Sequence, residues 1–116
     1  KKSMKQYVSV DMFRDRFLSS DTYKNNFTYD GLAALFEYLE QYEEDTNEEI
    51  DFDMVALACE YSEYESALDA VEQYNGAVEE NKDFDEEDKE NASLAWLRDQ
   101  TQVIEVDGGG VIIQQF

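Results

Sequence analysis

Read for its hydrophobic and polar positions, the chain gives its clearest signal between residues 28 and 44. Leu32, Leu35, Phe36, Leu39 and Tyr42 recur at i, i+3, i+4, i+7 and i+10, the stripe that an amphipathic helix lays against a core. Thr28 carries a capping hydroxyl, and the helix is predicted to run to about Glu44, ending before Thr46 and Asn47. The opposite face carries Glu37, Glu40 and Glu44, with Glu48 next in the series. Steps of three and four residues place successive carboxylates about 5–6 Å apart along the axis.

Between Ile50 and Tyr64 this acidic chain turns almost wholly apolar for the length of a strand. Met54 to Cys59 is unbroken by any charge, and so short an apolar run reads as a strand buried on both faces or as a short buried helix turn; the strand is the expectation here, as the centre of the fold. Before it, Ile50 and Phe52 alternate with Asp51 and Asp53, as in a pleated segment with one wet face. After it, Glu60, Glu63 and Glu65 alternate with Tyr61 and Tyr64, so the strand leaves the core carrying carboxylates and rings.

The remaining pattern supplies shorter elements. Ser9 or Asp11 caps a helix in which Met12, Phe13 and Phe17 share a face, and residues 19–26 are polar and turn-rich. Ser62 or Ser66 caps a third helix with Leu68, Val71 and Tyr74 turned inward and Gly76 as its left-handed C′ residue. Asp85 caps a fourth through Ala92, Leu94, Ala95, Trp96 and Leu97, ending near Arg98, whose charge suits a helix C-terminus. Val103, Ile104 and Val106 precede a Gly-rich turn, and Val111, Ile112, Ile113 and Phe116 follow it, which predicts a hairpin. The expected fold is α+β: one domain over residues 1–116, loosely structured over residues 1–8. In it a small three-stranded sheet, antiparallel or mixed, includes the C-terminal hairpin and is covered by three to four helices.

Composition supports a folded domain, because 42% apolar and 14% aromatic residues in 116 exceed what a disordered acidic tail carries. Cys59 is the single cysteine, so no disulfide forms within the chain, and its apolar neighbours predict a buried, inert thiol in an intracellular setting. Met4 reads as a native initiator preceded by three added residues, and the start lacks the apolar region of a secretory signal. No apolar run approaches the roughly 18 residues of a membrane span. The net charge is −20 and is unevenly placed. Residues 1–24 hold six bases against three acids, whereas residues 25–116 hold 26 acids against three bases. Such a field repels nucleic acid and anionic lipid and attracts basic protein surfaces.

The residues offer little for catalysis. There is no histidine, which removes the commonest general base, most zinc sites and every Ser/His or Cys/His nucleophile arrangement. The triple glycine at 108–110 lacks the lysine and the following helix of a phosphate-binding loop. A pair of carboxylates could act on a glycoside, but with 29 acids some pair always lies at a suitable distance. Loops starting at Asp83 and Asp45 superficially resemble calcium ligands. Their sixth and twelfth positions are Asp88 and Leu94, or Ile50 and Ala56, where an EF-hand needs glycine and glutamate. No enzyme activity, cofactor or specific metal is expected.

The acidic surface itself remains. Small domains carry a net charge of about 2–8 in magnitude, and a field far beyond this lowers stability by self-repulsion and is expected to persist only where it is used. Neighbouring phosphates on one DNA strand lie about 7 Å apart along its path, a spacing that carboxylates on a rigid helix can imitate. A second row lies in residues 79–90, where eight of twelve positions are acidic. Tyr38, Tyr42, Tyr61, Tyr64 and Tyr74 add rings able to receive arginine.

Three further stretches carry a resemblance: Phe27-Thr28-Tyr29-Asp30-Gly31-Leu32 with Leu35 to Glu40, Val55 to Tyr64, and the ending Val103-Ile104-x-Val106 with Gly110-x-Ile112-Ile113-Gln114-x-Phe116. Over most of residues 27–116 the chain resembles short acidic proteins of phages and mobile elements, of the antirestriction and anti-CRISPR type that mimic DNA. The resemblance implies a non-enzymatic inhibitor acting in the cytoplasm of a bacterial host. Its target would be the basic DNA-binding surface of a CRISPR effector or restriction enzyme. The alternative is an acidic adaptor or antitoxin-like module that binds a basic protein unrelated to DNA cleavage. Both a monomer and a homodimer fit. The residues expected to meet the partner are Glu37, Glu40, Glu44, Glu48, Glu60, Tyr61, Glu63, Tyr64, Asp83, Asp85, Glu86 and Glu87.

Overall fold

The computed structural model describes residues 9–50, 52–74 and 85–116. Within them lie five helices, α1 (Val10–Leu18), α2 (Tyr29–Thr46), α3 (Met54–Glu60), α4 (Ala67–Gln73) and α5 (Glu86–Gln100). Three strands accompany them, β1 (Tyr61–Tyr64), β2 (Val103–Glu105) and β3 (Val111–Gln114), and the fold is α+β. Both strand pairings are antiparallel and the order is β1-β3-β2, so the last strand of the chain lies in the middle.

Side chains alternate across β3, and each face meets a different helical layer. Ile112 joins Phe13, Phe17, Leu32, Leu35, Phe36, Leu39, Leu57 and Tyr61 in the larger core under α1, α2 and α3. Val111 and Ile113 join Ala67, Ala70, Val71 and Leu97 in a second core under α4 and α5. The sheet is thus the middle of three layers, and β3 is the strand buried on both faces.

This corrects the expected centre of the fold. Met54–Glu60 is a helix, not a strand. Its inward residues are Met54, Leu57, Ala58 and then Tyr61, at i, i+3, i+4 and i+7, while Val55, Ala56 and Cys59 face outward. The Asp53 carboxylate accepts from the Ala56 amide and caps the first turn. Tyr61 ends the helix in extended conformation (φ −120°, ψ 146°) and opens β1 at once. Cys59 is consequently exposed, contrary to the buried thiol expected. Ile50 and Phe52 belong to no strand; both pack on the larger core from the α2–α3 connection, Phe52 with its ring centroid 5.3 Å from that of Phe13.

The capping expectations hold at Ser9, Thr28, Ser66 and Asp85, each of which accepts from the backbone of the first turn. Helix α2 continues two residues past Glu44, to Thr46, and is closed by Asn47 at φ 55°. Met12 and Tyr42, placed on core-facing stripes in the sequence, are both exposed. In α4 the inward positions are Ala67, Ala70 and Val71, with Leu68 only half-buried. Gly76 and residues 1–8 lie outside the described residues. The chain end is held by aromatic contacts, with Phe116 stacked on Tyr74 at 4.3 Å between centroids and tilted against Trp96.

The hairpin turn between β2 and β3 uses Gly108 at φ 96° and Gly109 at φ 102°, where an added side chain would meet no neighbour but would strain the backbone, since only glycine takes these angles readily. G108A and G109A are each expected to lower stability by about 1 kcal/mol, read as a lower urea midpoint with an unchanged denaturant slope.

Candidate functional site

Helix α2 presents the expected acidic row. Glu37 and Glu44 are exposed and Glu40 is half-buried, and with Gln41 they line a shallow depression of about 260 Å³. The periodicity that buries Leu32, Leu35 and Leu39 turns these carboxylates to the far side of the helix. Partial burial raises the Glu40 pKa above its ordinary 4.5, and the neighbouring charges of Glu44, Glu43 and Glu37 raise it further. A carboxylate with a raised folded pKa binds its proton more tightly in the native state, so its charge opposes folding at neutral pH and stops doing so on acidification. E40Q is therefore expected to melt above the parent at pH 7. Circular dichroism melts should show the gap narrowing as pH falls through the raised Glu40 pKa and closing below 4.5.

Glu48 stands apart from the row. It follows the left-handed Asn47, and its backbone amide donates to Thr46 Oγ1 at 3.3 Å, so it is exposed beyond the helix end.

The 60–64 segment divides by strand alternation. The Glu60 carboxylate is exposed and accepts from Gln114 Nε2 at 2.8 Å. Tyr61 is buried, its ring 6.3 Å from that of half-buried Tyr38, and burial above all pushes its phenol pKa well up. Glu63 is half-buried and turned onto the start of α2: one oxygen accepts from the Thr28 amide at 2.8 Å and the other from the Thr28 hydroxyl at 2.7 Å. That carboxylate sits at the N-terminus of α2, where the helix dipole favours it, and lies so close over Gly31 that a Cβ there would run into it. Tyr64 is half-buried against the second core, and its pKa is raised chiefly by burial.

In the second acidic row, Asp83 lies outside the described residues. Asp85 is the N-cap of α5 in a reciprocal capping box with Asp88, and Glu86 and Glu87 are exposed in its first turn. Helix α5 packs on the face of the sheet opposite α2, so Asp85, Glu86 and Glu87 belong to a different layer from Glu37, Glu40 and Glu44. Glu90, from the same acidic run, is half-buried and accepts from the Ala67 and Leu68 amides at 2.7 and 3.1 Å, capping α4.

Two features escaped the sequence reading. Glu43 is fully buried, with Oε2 accepting from the Ile50 amide at 2.7 Å and Oε1 without a partner among the described residues. The signal was its place on the apolar stripe, four residues after Leu39 and seven after Phe36. The second is a cleft of about 350 Å³ in which Tyr38, Tyr42, Glu60 and Tyr61 converge from α2, α3 and β1. Among the described residues, no group of three or more cysteine or acidic side chains is placed to hold a metal ion, and no helix is long and apolar enough to cross a membrane.

No protein-family model, curated protein or solved structure matches the chain.

Proposed function

We propose that this chain is a non-enzymatic acidic inhibitor that mimics DNA and covers the DNA-binding surface of a bacterial defence nuclease. The target class is a CRISPR effector or a restriction enzyme in the host cytoplasm. The observation that carries the reading is the row Glu37, Glu40 and Glu44, held on the outer side of an 18-residue helix that is anchored to the larger core. A rigid helix keeps like charges at fixed spacing in spite of their repulsion, as a phosphate backbone does. Partial burial first, and the neighbouring charges of Glu44, Glu43 and Glu37 after it, raise the pKa of Glu40 within that row.

Capture of the partner on immobilised protein from a phage-bearing bacterial lysate, identified by mass spectrometry, tests the class. A DNA-binding nuclease displaced by duplex DNA supports the proposal, and a basic toxin or structural protein overturns it in favour of the adaptor reading. The association is further expected to weaken steeply with salt, because exposed charge pairs are screened beyond about 8 Å at physiological ionic strength. Binding unchanged up to about 1 M salt would show an apolar interface and sink the mimicry.

A further inference from the structure

The cleft beside α2 differs in kind from the acidic ridge. The ridge is charge on an open surface, whereas the cleft has aromatic walls, a carboxylate and graded depth. Tyr61 is buried, Tyr38 is half-buried and Tyr42 is 43% exposed, so the three phenol rings run from the inner end of the cleft to its mouth. Tyr38 and Tyr42 are four residues apart and share one side of α2. The Glu60 carboxylate stands at the same cleft, fixed by the Gln114 amide at 2.8 Å, and Ile50 contributes an apolar wall.

We infer that this cleft is a receptor for one arginine side chain of the basic partner, its guanidinium laid over the exposed Tyr42 ring at the mouth and paired with Glu60. The chemistry of each wall fits that occupant. Tyrosine faces attract cations, arginine most often among protein side chains. A planar guanidinium stacks on rings while its N–H fork reaches carboxylate and amide oxygens, a combination that a compact, strongly hydrated ammonium does not offer. At about 350 Å³ the cleft is at the small end of small-molecule sites, room for a single side chain and not for a duplex. The fold already uses this contact elsewhere: the Arg14 guanidinium lies 3.5 Å from the Tyr29 ring centroid while its Nε donates to the Tyr29 carbonyl.

The inference rests on the reading of the chain as a binder of a basic protein surface, but its test needs no partner. N-acetyl-arginine amide is titrated into the intact protein, followed by NMR shifts of the tyrosine ring and glutamine amide signals. N-acetyl-lysine amide and tetramethylammonium are titrated in parallel. The arginine probe is expected to saturate with shifts centred on Tyr38, Tyr42, Tyr61 and Gln114, and to bind severalfold more tightly than either comparator. Y42A and E60Q should each weaken it on the order of five- to tenfold, while E37Q/E40Q/E44Q leaves it within about twofold. Tyr42 and Glu60 are exposed, so both variants retain the core, and unchanged melting curves confirm it. Shifts spread over all the acidic surfaces, or lysine amide binding as well as arginine amide, would overturn the inference. Tighter binding of tetramethylammonium would overturn it too, showing a cage for quaternary ammonium groups. Arginine binding in the cleft by a protein that captures no nuclease would leave this inference standing and remove the DNA-mimic reading alone.

Discussion

The variant E37Q/E40Q/E44Q is expected to become more stable and a poorer inhibitor at once. The three side chains lie on the outer side of α2, away from Leu32, Leu35 and Leu39, so the amides leave packing and helix propensity nearly intact. Each like-charge neighbour three or four residues away costs a few tenths of a kcal/mol, so their removal should raise stability by about 1 kcal/mol. Each carboxylate facing a partly desolvated arginine or lysine is worth on the order of 2 kcal/mol in binding. Contributions at one interface are not additive; even so, the triple change should weaken inhibition by roughly a hundredfold or more. Nuclease inhibition with duplex DNA as competitor, beside thermal melts, reads both effects. The companion variant D83N/D85N/E86Q/E87Q should behave differently. Asparagine still caps α5 at position 85, but the amides at 86 and 87 give up favourable interaction with the positive end of the helix, so this variant should lose a little stability. If both variants inhibit as well as the parent, the acidic rows are a solubility coat, and contact passes to the 60–64 segment and its tyrosines.

Where the chain writes its structure in periodicity or in a cap, the sequence was readable. The α2 stripe from Leu32 to Leu39, the caps at Thr28 and Asp85 and the hairpin about residues 107–110 all depend on neighbours along the chain, and all are present. The failure at Met54–Cys59 has a definite cause. A short apolar run without polar interruptions reads equally as a buried strand or a buried helix, and the deciding evidence lay at its two ends, in the Asp53 cap and in Tyr61 completing the helical spacing. The doubly buried strand exists, but it is Val111–Gln114, whose central place depends on pairing with β1 some fifty residues away. Site residues were hardest to read because a carboxylate's role is settled by tertiary partners. Glu63 and Glu90 look like surface charges in the sequence, and the fold uses both as caps at helix N-termini. Glu60 and Tyr38 are 22 positions apart, and nothing local announces that they share a cleft.

A large effect on stability is expected at Glu43, the fully buried carboxylate of α2. Its side chain is 0% exposed, and its hydrogen bond to the Ile50 amide ties the α2–α3 connection to the helix. E43A removes that acceptor, leaves a half-buried N–H without its partner and opens a void in the stripe between Leu39 and the chain end of α2. Lost packing and the orphaned donor together should cost about 2–4 kcal/mol, a fall in melting temperature of roughly 10 °C or more. Only Oε2 has a partner among the described residues, so one acceptor and the side chain's volume are what the fold is seen to use. E43Q keeps the volume and an oxygen acceptor for the Ile50 amide and should therefore stay within about 1 kcal/mol of the parent. E43M keeps volume without an acceptor and should fall between the two, separating packing from hydrogen bonding. Urea unfolding of the three variants decides the matter, and E43Q falling as far as E43A would refute the hydrogen-bond account. The consequence reaches the tyrosine cleft, since Ile50 is one of its walls: E43A should also loosen arginine amide binding, and E43Q should not.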